Sequence, residues 1–403
     1  MKNQMQAIKE SERIQSIDIL RGFAILGIFF VNMPAFFSPV HYLDPSIYWE
    51  KTSDRVLNGL VDFFAQASFY PLFAFLFGYG AVILANRLQI KELSFPKYFS
   101  RRLAVLLVFG CLHAFLVWHG DILITYSLCG FLFLLFHKLT GKTLLIVGSL
   151  LYVIPFTLFS LGFAAIEMLD PSSLITDLYN QAAVENALYV YGQGTFGEIF
   201  SLRFHDWYAV NGPAGFWILA LNIVPLMLLG AGFAKKKWLE DVGNHRKLLF
   251  SLLVASGIIG GALKSLPFYY KELPYTSMFI QDFFGGPLLA LFYIAAIVLM
   301  VENGAVHRLL RPFSYVGRLS ISNYLLQSVV CTAIFYSYGL GLYGHISFTA
   351  GFCLVILLYS LQVWASKRWL AIYQMGPVEY IWRWGTYGQR PSMKRNRERE
   401  SGK

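Results

Sequence analysis

The sequence predicts an all-α protein, a polytopic transmembrane bundle of about ten helices with both termini in the cytoplasm. Hydrophobic residues make up 56% and charged residues 14% of the 403 residues, whereas a soluble protein carries about 25% charged residues. Apolar runs such as 22–37, 214–234 and 287–301 are long enough to cross most or all of a hydrocarbon core about 30 Å thick. Basic clusters follow every second run, which is typical of positively charged cytoplasmic loops.

The first apolar run follows a basic stretch, as in a signal peptide, but no small-residue cleavage site closes it. It therefore predicts a retained first helix.

Spans three and four are joined by Trp118-His119-Gly120-Asp121, where the glycine allows a tight helical hairpin and Asp121 can cap the next helix. The predicted spans lie at 17–37, 61–86, 103–118, 121–137, 143–166, 214–234, 248–266, 278–301, 319–337 and 346–366.

These spans divide the chain into two transmembrane halves of five helices each. We expect a cytoplasmic N-terminus at 1–16, a first half at 17–166, an extracytoplasmic loop at 167–213, a second half at 214–366 and a cytoplasmic basic tail at 367–403. A connection as long as the central one is usually functional or poorly ordered. The sequence shows neither a soluble domain nor an internal repeat.

The net charge of +10 is explained by membrane topology rather than by nucleic-acid binding. Basic segments on the cytoplasmic side of a multi-pass cell-membrane protein lie against anionic lipid, so the lipid bilayer is the expected partner. Nearly all of the 33 Lys and Arg residues fall on that side, the exceptions being Arg21, Lys51, Arg55, Arg203, Lys264 and Lys271.

The cysteines give no sign of a disulfide or a metal site. All four, Cys111, Cys129, Cys331 and Cys353, fall inside apolar runs, and no pair has metal-ligand spacing. We therefore expect no disulfide, no metal ion and no bound cofactor.

The first span carries an intramembrane charge. Asp18 and Arg21 are three residues apart, so they share one helix face and can pair. A guanidinium this far into a span should face the bundle interior or extend toward the headgroups. Two interpretations stay open: a paired helix start, or a cation for the phosphates of a nucleotide-type cofactor.

Several titratable groups gather on the predicted outer side. His41 follows span one, Asp62 opens span two, His113 lies two turns inside span three, and Asp121 follows it. A histidine beside a carboxylate suits general-base chemistry or a proton relay. Each residue also has a structural explanation: Asp121 as a helix cap, His113 as a hydrogen-bonded core residue, and His41 as an exposed loop residue. His205 is expected to have no functional role.

Span nine carries a polar stripe at helical spacing that includes Asn323, Tyr324 and Gln327. In lipid such a stripe must face protein or a water-filled cavity. It predicts either contacts between helices or the lining of a site.

Several motifs in fixed order resemble the YeiB-type membrane protein family, a domain-of-unknown-function (418) family, from about residue 13 to 390. They are Asp18-Ile19-Leu20-Arg21-Gly22 with Gly27 and Asn32, Leu76-Phe77-Gly78-Tyr79-Gly80, His113 followed by Trp118-His119-Gly120-Asp121-Ile122-Leu123, the segment from Gly317 to Ser328, and the segment from Gly376 to Arg383.

That family is distantly similar to the transmembrane acyltransferases, which move an acyl group from coenzyme A across the bilayer to a sugar hydroxyl or amine. The sugar O-acylating branch has its catalytic histidine at the position of Asn32. The lysosomal glucosamine N-acetylating branch has an asparagine there and a catalytic histidine in the following loop, near the place of His41. Asp62 with Phe69-Tyr70-Pro71 similarly resembles the second helix of that branch.

Two functions follow as expectations. In the first, Arg21, Arg101 and Arg102 hold a cytoplasmic acyl-CoA co-substrate, and His41 or His113 acts as base toward a small-molecule or glycan acceptor outside. Asp62 or Asp121 would orient that base. The alternative is a transporter of a small solute or lipid-linked molecule, with a midplane site lined by His113, Asn32, Asn323, Tyr324 and Gln327. A non-catalytic scaffold or sensor is a third hypothesis.

Overall fold

The computed structural model describes residues 13–44, 48–169, 180–270 and 272–395. Within these ranges the regular secondary structure is helical, apart from one isolated antiparallel bridge between Tyr373 and Lys394. The predicted all-α class is therefore confirmed.

The helices of the N-terminal part are α1 (Gln15–Phe37), α2 (Thr52–Phe64), α3 (Phe69–Ile90), α4 (Phe95–Leu116), α5 (Leu123–Phe136, its last turn 3-10) and α6 (Gly141–Leu169). They are followed by α7 (Gln181–Gln193), α8 (Phe196–Asn211), α9 (Pro213–Lys235), α10 (Val242–Lys264) and a short turn of helix at Leu266–Tyr269. The last helices are α11 (Pro274–Val301, with a π-helical turn at Gln281–Gly285), α12 (Gly304–Arg318), α13 (Ser320–Phe335), α14 (Phe348–Ile372) and α15 (Pro377–Tyr387).

Each predicted membrane span corresponds to one helix of the structure, except that span two covers the end of α2 and most of α3. Eight helical segments among the described residues are long and apolar enough to cross a membrane, with α2 and α3 forming one of them. The two remaining predicted spans are the shorter apolar helices α5 and α13. Which ends of these helices face the cytoplasm stays a prediction from the distribution of charge.

Glycines let the central helices touch backbone to backbone. A methyl group added at Gly78 of α3 would lie 1.9 Å from the Met227 carbonyl oxygen of α9, and one at Gly230 would lie 1.9 Å from the Phe75 carbonyl oxygen. Any larger residue would push these helices apart. Close approach at small residues is the usual packing device in membranes, where lipid tails are as apolar as side chains.

Two segments expected to be irregular or solvated are helical instead. The predicted loop 167–213 contains α7 and α8, which begin at N-caps provided by the side chains of Asn180 and Thr195. Thr195 and Glu198 form a reciprocal capping box, a local signal at the start of α8. The predicted tail 367–403 contains the end of α14 and all of α15, while residues 1–12 and 396–403 lie outside the described residues.

Candidate functional site

A cavity of about 290 Å³ lies among α1, α3, α4, α13 and α15. It follows α1 from Ile17 to Ile25, a distance of about 12 Å at the helical rise, and it also includes Arg13 just before that helix. Six arginines line it, against the two carboxylates Asp18 and Glu379: Arg13, Arg21, Arg87, Arg102, Arg318 and Arg383.

The crossing of α1 and α12 places two of these arginines. A methyl group added at Gly22 would lie 1.9 Å from the Phe313 carbonyl oxygen, and one at Gly317 would lie 1.9 Å from the Asp18 carbonyl oxygen. The two backbones therefore touch, which brings Arg21 and Arg318 to the same cavity. Asp18 binds Arg21 at 3.4 Å, as the three-residue spacing predicts, and also Arg13 at 3.2 Å.

Helix α15 closes one side of the cavity through an aromatic contact with α4. The Arg102 guanidinium lies over the Trp382 ring, 3.5 Å from its centroid, and the Trp382 indole donates to the Arg102 carbonyl at 2.8 Å. Arg101, the adjacent predicted donor-binding residue, is exposed and is not among the residues that line the cavity. The structure thus brings Arg21 and Arg102 together and leaves Arg101 outside.

Glu379 is bound by the amino end of α13 rather than by an arginine. Its carboxylate accepts from the Ile321 amide at 2.9 Å, the Ser322 amide at 3.1 Å and the Ser322 hydroxyl at 2.5 Å. Burial raises the pKa of Glu379, and the hydrogen bonds from Ser322 oppose that shift. Because this carboxylate caps a helix and Asp18 is shared by two arginines, the cavity keeps a surplus of positive charge.

A buried histidine–aspartate pair lies behind the wall of the cavity. His113 Nδ1 and Asp121 Oδ1 are 2.8 Å apart, and the other Asp121 oxygen accepts from the Ile124 amide at 2.8 Å. The His113 ring lies 5.2 Å from the ring of Tyr324, which lines the cavity. Asp121 therefore orients His113 and also caps α5. The sequence analysis treated these two roles as alternatives.

A second histidine pair lies beyond Trp118. Trp118 is buried, and its ring lies between His113, at 6.4 Å, and His119, at 5.4 Å. His119 Nε2 contacts His41 Nε2 at 3.3 Å. His41 keeps an exposed face, whereas His119 is buried.

The polar environment of His119 includes helix α8. Its Nδ1 lies 3.9 Å from an Asp206 oxygen, and Asp206 accepts hydrogen bonds from Tyr42 and, at 2.6 Å, from Tyr191. The pKa of His119 lies well below its usual value because the ring is buried, and the nearby His41 and Arg203 charges lower it further. The ring is therefore neutral at physiological pH.

The remaining predicted site residues lie elsewhere. Asp62 accepts from Gln281 at 2.6 Å, next to an ion pair of Lys264 and Asp282 at 3.7 Å, and so does not join either histidine pair. Asn32 is half-buried on α1 and does not line the cavity.

The polar stripe of α13 serves mainly as a contact between helices. Asn323 donates to the Ser366 hydroxyl at 3.1 Å, and Gln327 donates to the Gln362 side chain at 2.9 Å. Gln362 in turn donates to the Asn323 carbonyl at 3.0 Å. Of the predicted lining residues, Tyr324 is the one that reaches the cavity.

Three residues of the cavity were assigned no role from the sequence: Arg87, Arg383 and Glu379. Arg87 lies in the last turn of α3, where the positive-inside pattern explains it without any site. A usable signal was present in the segment from Gly376 to Arg383, because Glu379 and Arg383 are four residues apart and so share a helix face.

Comparison with known proteins gives the family. The family model described as "Protein of unknown function (DUF418)" matches residues 233–389. The "Uncharacterized protein YxaH" of Bacillus subtilis (strain 168) is 38% identical over 399 residues, which cover 95% of this chain and 96% of that protein. The chain belongs to the DUF418 family.

Two further relatives support membership of the DUF418 family over the whole chain. The "Uncharacterized protein YeiB" of Escherichia coli (strain K12) is 29% identical over 92% of this chain and 96% of its own length. The "Uncharacterized 39.9 kDa protein in amylase 3'region" of Bacillus acidopullulyticus is 28% identical over 96% of this chain and 97% of its own length. The residues matched by the DUF418 model include Arg318, Glu379 and Arg383 of the cavity.

Proposed function

We propose that this multi-pass protein of the cell membrane transfers an acyl group from a cytoplasmic acyl-CoA to an extracytoplasmic hydroxyl or amine acceptor. The observation that carries the proposal is the position of the arginine-lined cavity, whose inner wall at Tyr324 contacts the His113–Asp121 pair. An anion-binding space that ends at a histidine–carboxylate pair suits a phosphorylated donor with a reactive group at its far end.

The donor would be held by charge at one end and by apolar contact at the other. Arginines bind phosphate through paired, directional hydrogen bonds, and they keep their charge at any physiological pH. Deeper in the cavity the lining becomes apolar, with Ile25, Phe77 and Leu106. This gradient matches a molecule with phosphates at one end and a thioester on a flexible arm at the other.

The reaction needs a base that the acceptor can reach. His41 is the best candidate, because it keeps an exposed face while His113 and His119 are buried. Trp118 separates His41 from Tyr324 and would have to move aside for the acceptor to reach the thioester. The acceptor oxygen or nitrogen would then attack the thioester carbonyl as its proton passes to His41, and the carbon–sulfur bond would break to release the coenzyme A thiolate. His119, in contact with His41, would share the proton. His113, fixed by Asp121, would position the acyl group next to Tyr324.

Transport through a midplane site is less well supported. Such a site was expected to use Asn323 and Gln327, yet both amides are engaged in hydrogen bonds between α13 and α14. Opening a path there would break bonds that hold two helices together.

Binding and turnover of acyl-CoA by purified protein in lipid nanodiscs test the proposal. We expect saturable binding of acyl-CoA and slow transfer or hydrolysis of the acyl group. His41→Ala should abolish turnover and leave binding intact, and His113→Ala should lower turnover. Absence of acyl-CoA binding would refute the proposal, and flux of an unmodified solute into proteoliposomes would support the transport alternative instead.

A further inference from the structure

Helix α8 buries two charged side chains and exposes four aromatic rings. Its buried face carries Ile199, Arg203 and Asp206, and Arg203 is fully buried with a hydrogen bond of 3.0 Å to the Phe115 carbonyl. Four rings spaced four residues apart form its aromatic face, with exposed fractions of 53%, 40%, 48% and 53%: Phe196, Phe200, Phe204 and Tyr208. This is the reverse of the pattern of a helix that meets water.

A third face of α8 is polar and exposed. It carries Glu198, Ser201 and His205, which lie beside the aromatic face at the helical angle of about 100° per residue. The helix is therefore divided lengthwise into a side buried in protein, an aromatic side and a polar side. A helix at a membrane–water boundary needs this division, because the aromatic side can enter lipid while the polar side stays in water.

The aromatic face continues the lipid-facing surface of neighbouring spans. The Phe204 ring lies 5.8 Å from Phe115, in the last turn of α4. That helix exposes Val108, Leu112 and Leu116 at 57%, 50% and 48%, as a membrane span does toward lipid. After α8, the second turn of α9 exposes Trp217 at 62%, and tryptophan is enriched at membrane interfaces.

We propose that α8 is an interfacial helix whose aromatic face is immersed in the lipid leaflet on the side of the His41–His119 pair. Lipid is the occupant because the face is continuous with two spans that themselves contact lipid. The inference goes beyond the proposed function, since it holds whatever the chemistry of the site. It also places Asp206, which is on α8, at the depth of the lipid headgroups.

Hydroxyl-radical footprinting of the unmodified protein in nanodiscs that hold a single chain tests this proposal. Aromatic rings and histidine react readily where water reaches them. We expect Phe200, Phe204 and Tyr208 to be oxidised severalfold more slowly than the adjacent His205. Equal oxidation of the rings and His205 would overturn the proposal. Protection that appears only when two chains share a nanodisc would also overturn it and would identify a second copy as the occupant.

A pair of adjacent spin labels gives an independent measurement. In a variant whose native cysteines are replaced, nitroxides would be attached at Phe204→Cys and His205→Cys. We expect the label at position 204 to collide more often with oxygen, which concentrates in lipid, and the label at 205 with a water-soluble nickel chelate. Greater access of the nickel chelate at 204 than at 205 would contradict immersion. Phe200→Cys and Ser201→Cys repeat the comparison one turn earlier.

Discussion

The arginine-lined cavity and the histidine–aspartate region both place ionisable groups inside a helical bundle, but they treat charge in opposite ways. In the cavity, six arginines meet two carboxylates. Behind it, Asp121 is matched by His113 and a backbone amide, and Asp206 is matched by two tyrosines. The lining of the cavity has more arginines than carboxylates, whereas each of the two carboxylates behind it accepts hydrogen bonds from its own neighbours.

This difference suits the arginine-lined cavity to binding and the histidine–aspartate region to rigid support. Guanidinium groups that outnumber the nearby carboxylates repel one another, so this excess of like charge adds little to stability and favours the binding of an anion. A carboxylate buried with its partners fixes local geometry, and removal of one partner leaves the other uncompensated. Substitutions in the cavity should therefore change binding, whereas those in the histidine–aspartate region should change stability.

The largest expected effect is the loss of Asp121. Asp121→Ala removes the partner of His113 and the cap of α5. Leaving a buried polar group without its hydrogen-bond partner costs about 1–3 kcal/mol of the free energy of unfolding, and losing a helix cap costs about 0.5–2 kcal/mol more. Asp121→Asn is the matched control, because asparagine also caps helices well and should restore part of the stability. Thermal unfolding in detergent measures both. Equal stability of Asp121→Ala and the wild type would remove the distinction between the two regions.

Arg102 and Arg101 offer a matched pair for the cavity. Arg102→Gln should weaken the binding of a phosphorylated anion by about tenfold to a hundredfold, because a hydrogen bond to a charged group contributes about 1.5–3 kcal/mol. Arg101→Gln changes the net charge by the same amount, but Arg101 lies outside the cavity. The affinity of this variant for the anion should therefore stay close to that of the wild type. Calorimetric titration with acyl-CoA measures both, and equal losses would mean that only net charge matters.

Gly317→Ala probes the helix crossing that positions Arg21 and Arg318. The added methyl group would lie 1.9 Å from the Asp18 carbonyl oxygen, and overpacking of this kind typically costs about 1–3 kcal/mol. The separation of α1 and α12 should also lower anion affinity, because two arginines move. Gly304→Ala is the control, since its methyl group would meet open space. An unchanged Gly317→Ala variant would show that the two backbones do not touch.

The smallest expected effect is a dependence of stability on pH that His119 produces. Burial lowers the pKa of His119, so below the unfolded pKa of about 6.5 the unfolded chain binds a proton that the folded chain does not. Stability should be complete above that pH and fall by about 1 kcal/mol per pH unit below it. His119→Gln should flatten the curve between about pH 7 and pH 5. A steeper loss in the variant would contradict a neutral His119.

The fold could be predicted further than the site could. Apolar length and the alternation of basic clusters predicted a helix at every proposed span, because lipid requires each segment to satisfy its own backbone hydrogen bonds. Helices α7 and α8 were missed because both are too short to be a span, with 13 and 16 residues, and because the polar face of α8 is narrow.

The site depends on which helices meet, and this is not a local property of the sequence. Spacing alone predicted the Asp18–Arg21 pair, and the turn after span three placed Asp121 close to His113 along the chain. Asp62 could not be assigned in this way, because its partner Gln281 is 219 residues away along the chain. Arg101 and Arg102 are adjacent in sequence, and only the direction of α4 decides which one faces the cavity.

The indole of Trp118 has a consequence for membrane energetics. Its ring lies 4.1 Å from the Phe36 ring, centroid to centroid, and the residue is 2% exposed. In the proposed function, the donor enters the cavity from one side of the membrane and the acceptor reaches His41 from the other. Trp118 lies between these two places and fills the space through which a chain of water molecules would otherwise conduct protons. Acyl transfer would then require a transient displacement of Trp118, and the membrane would remain sealed to protons between turnovers.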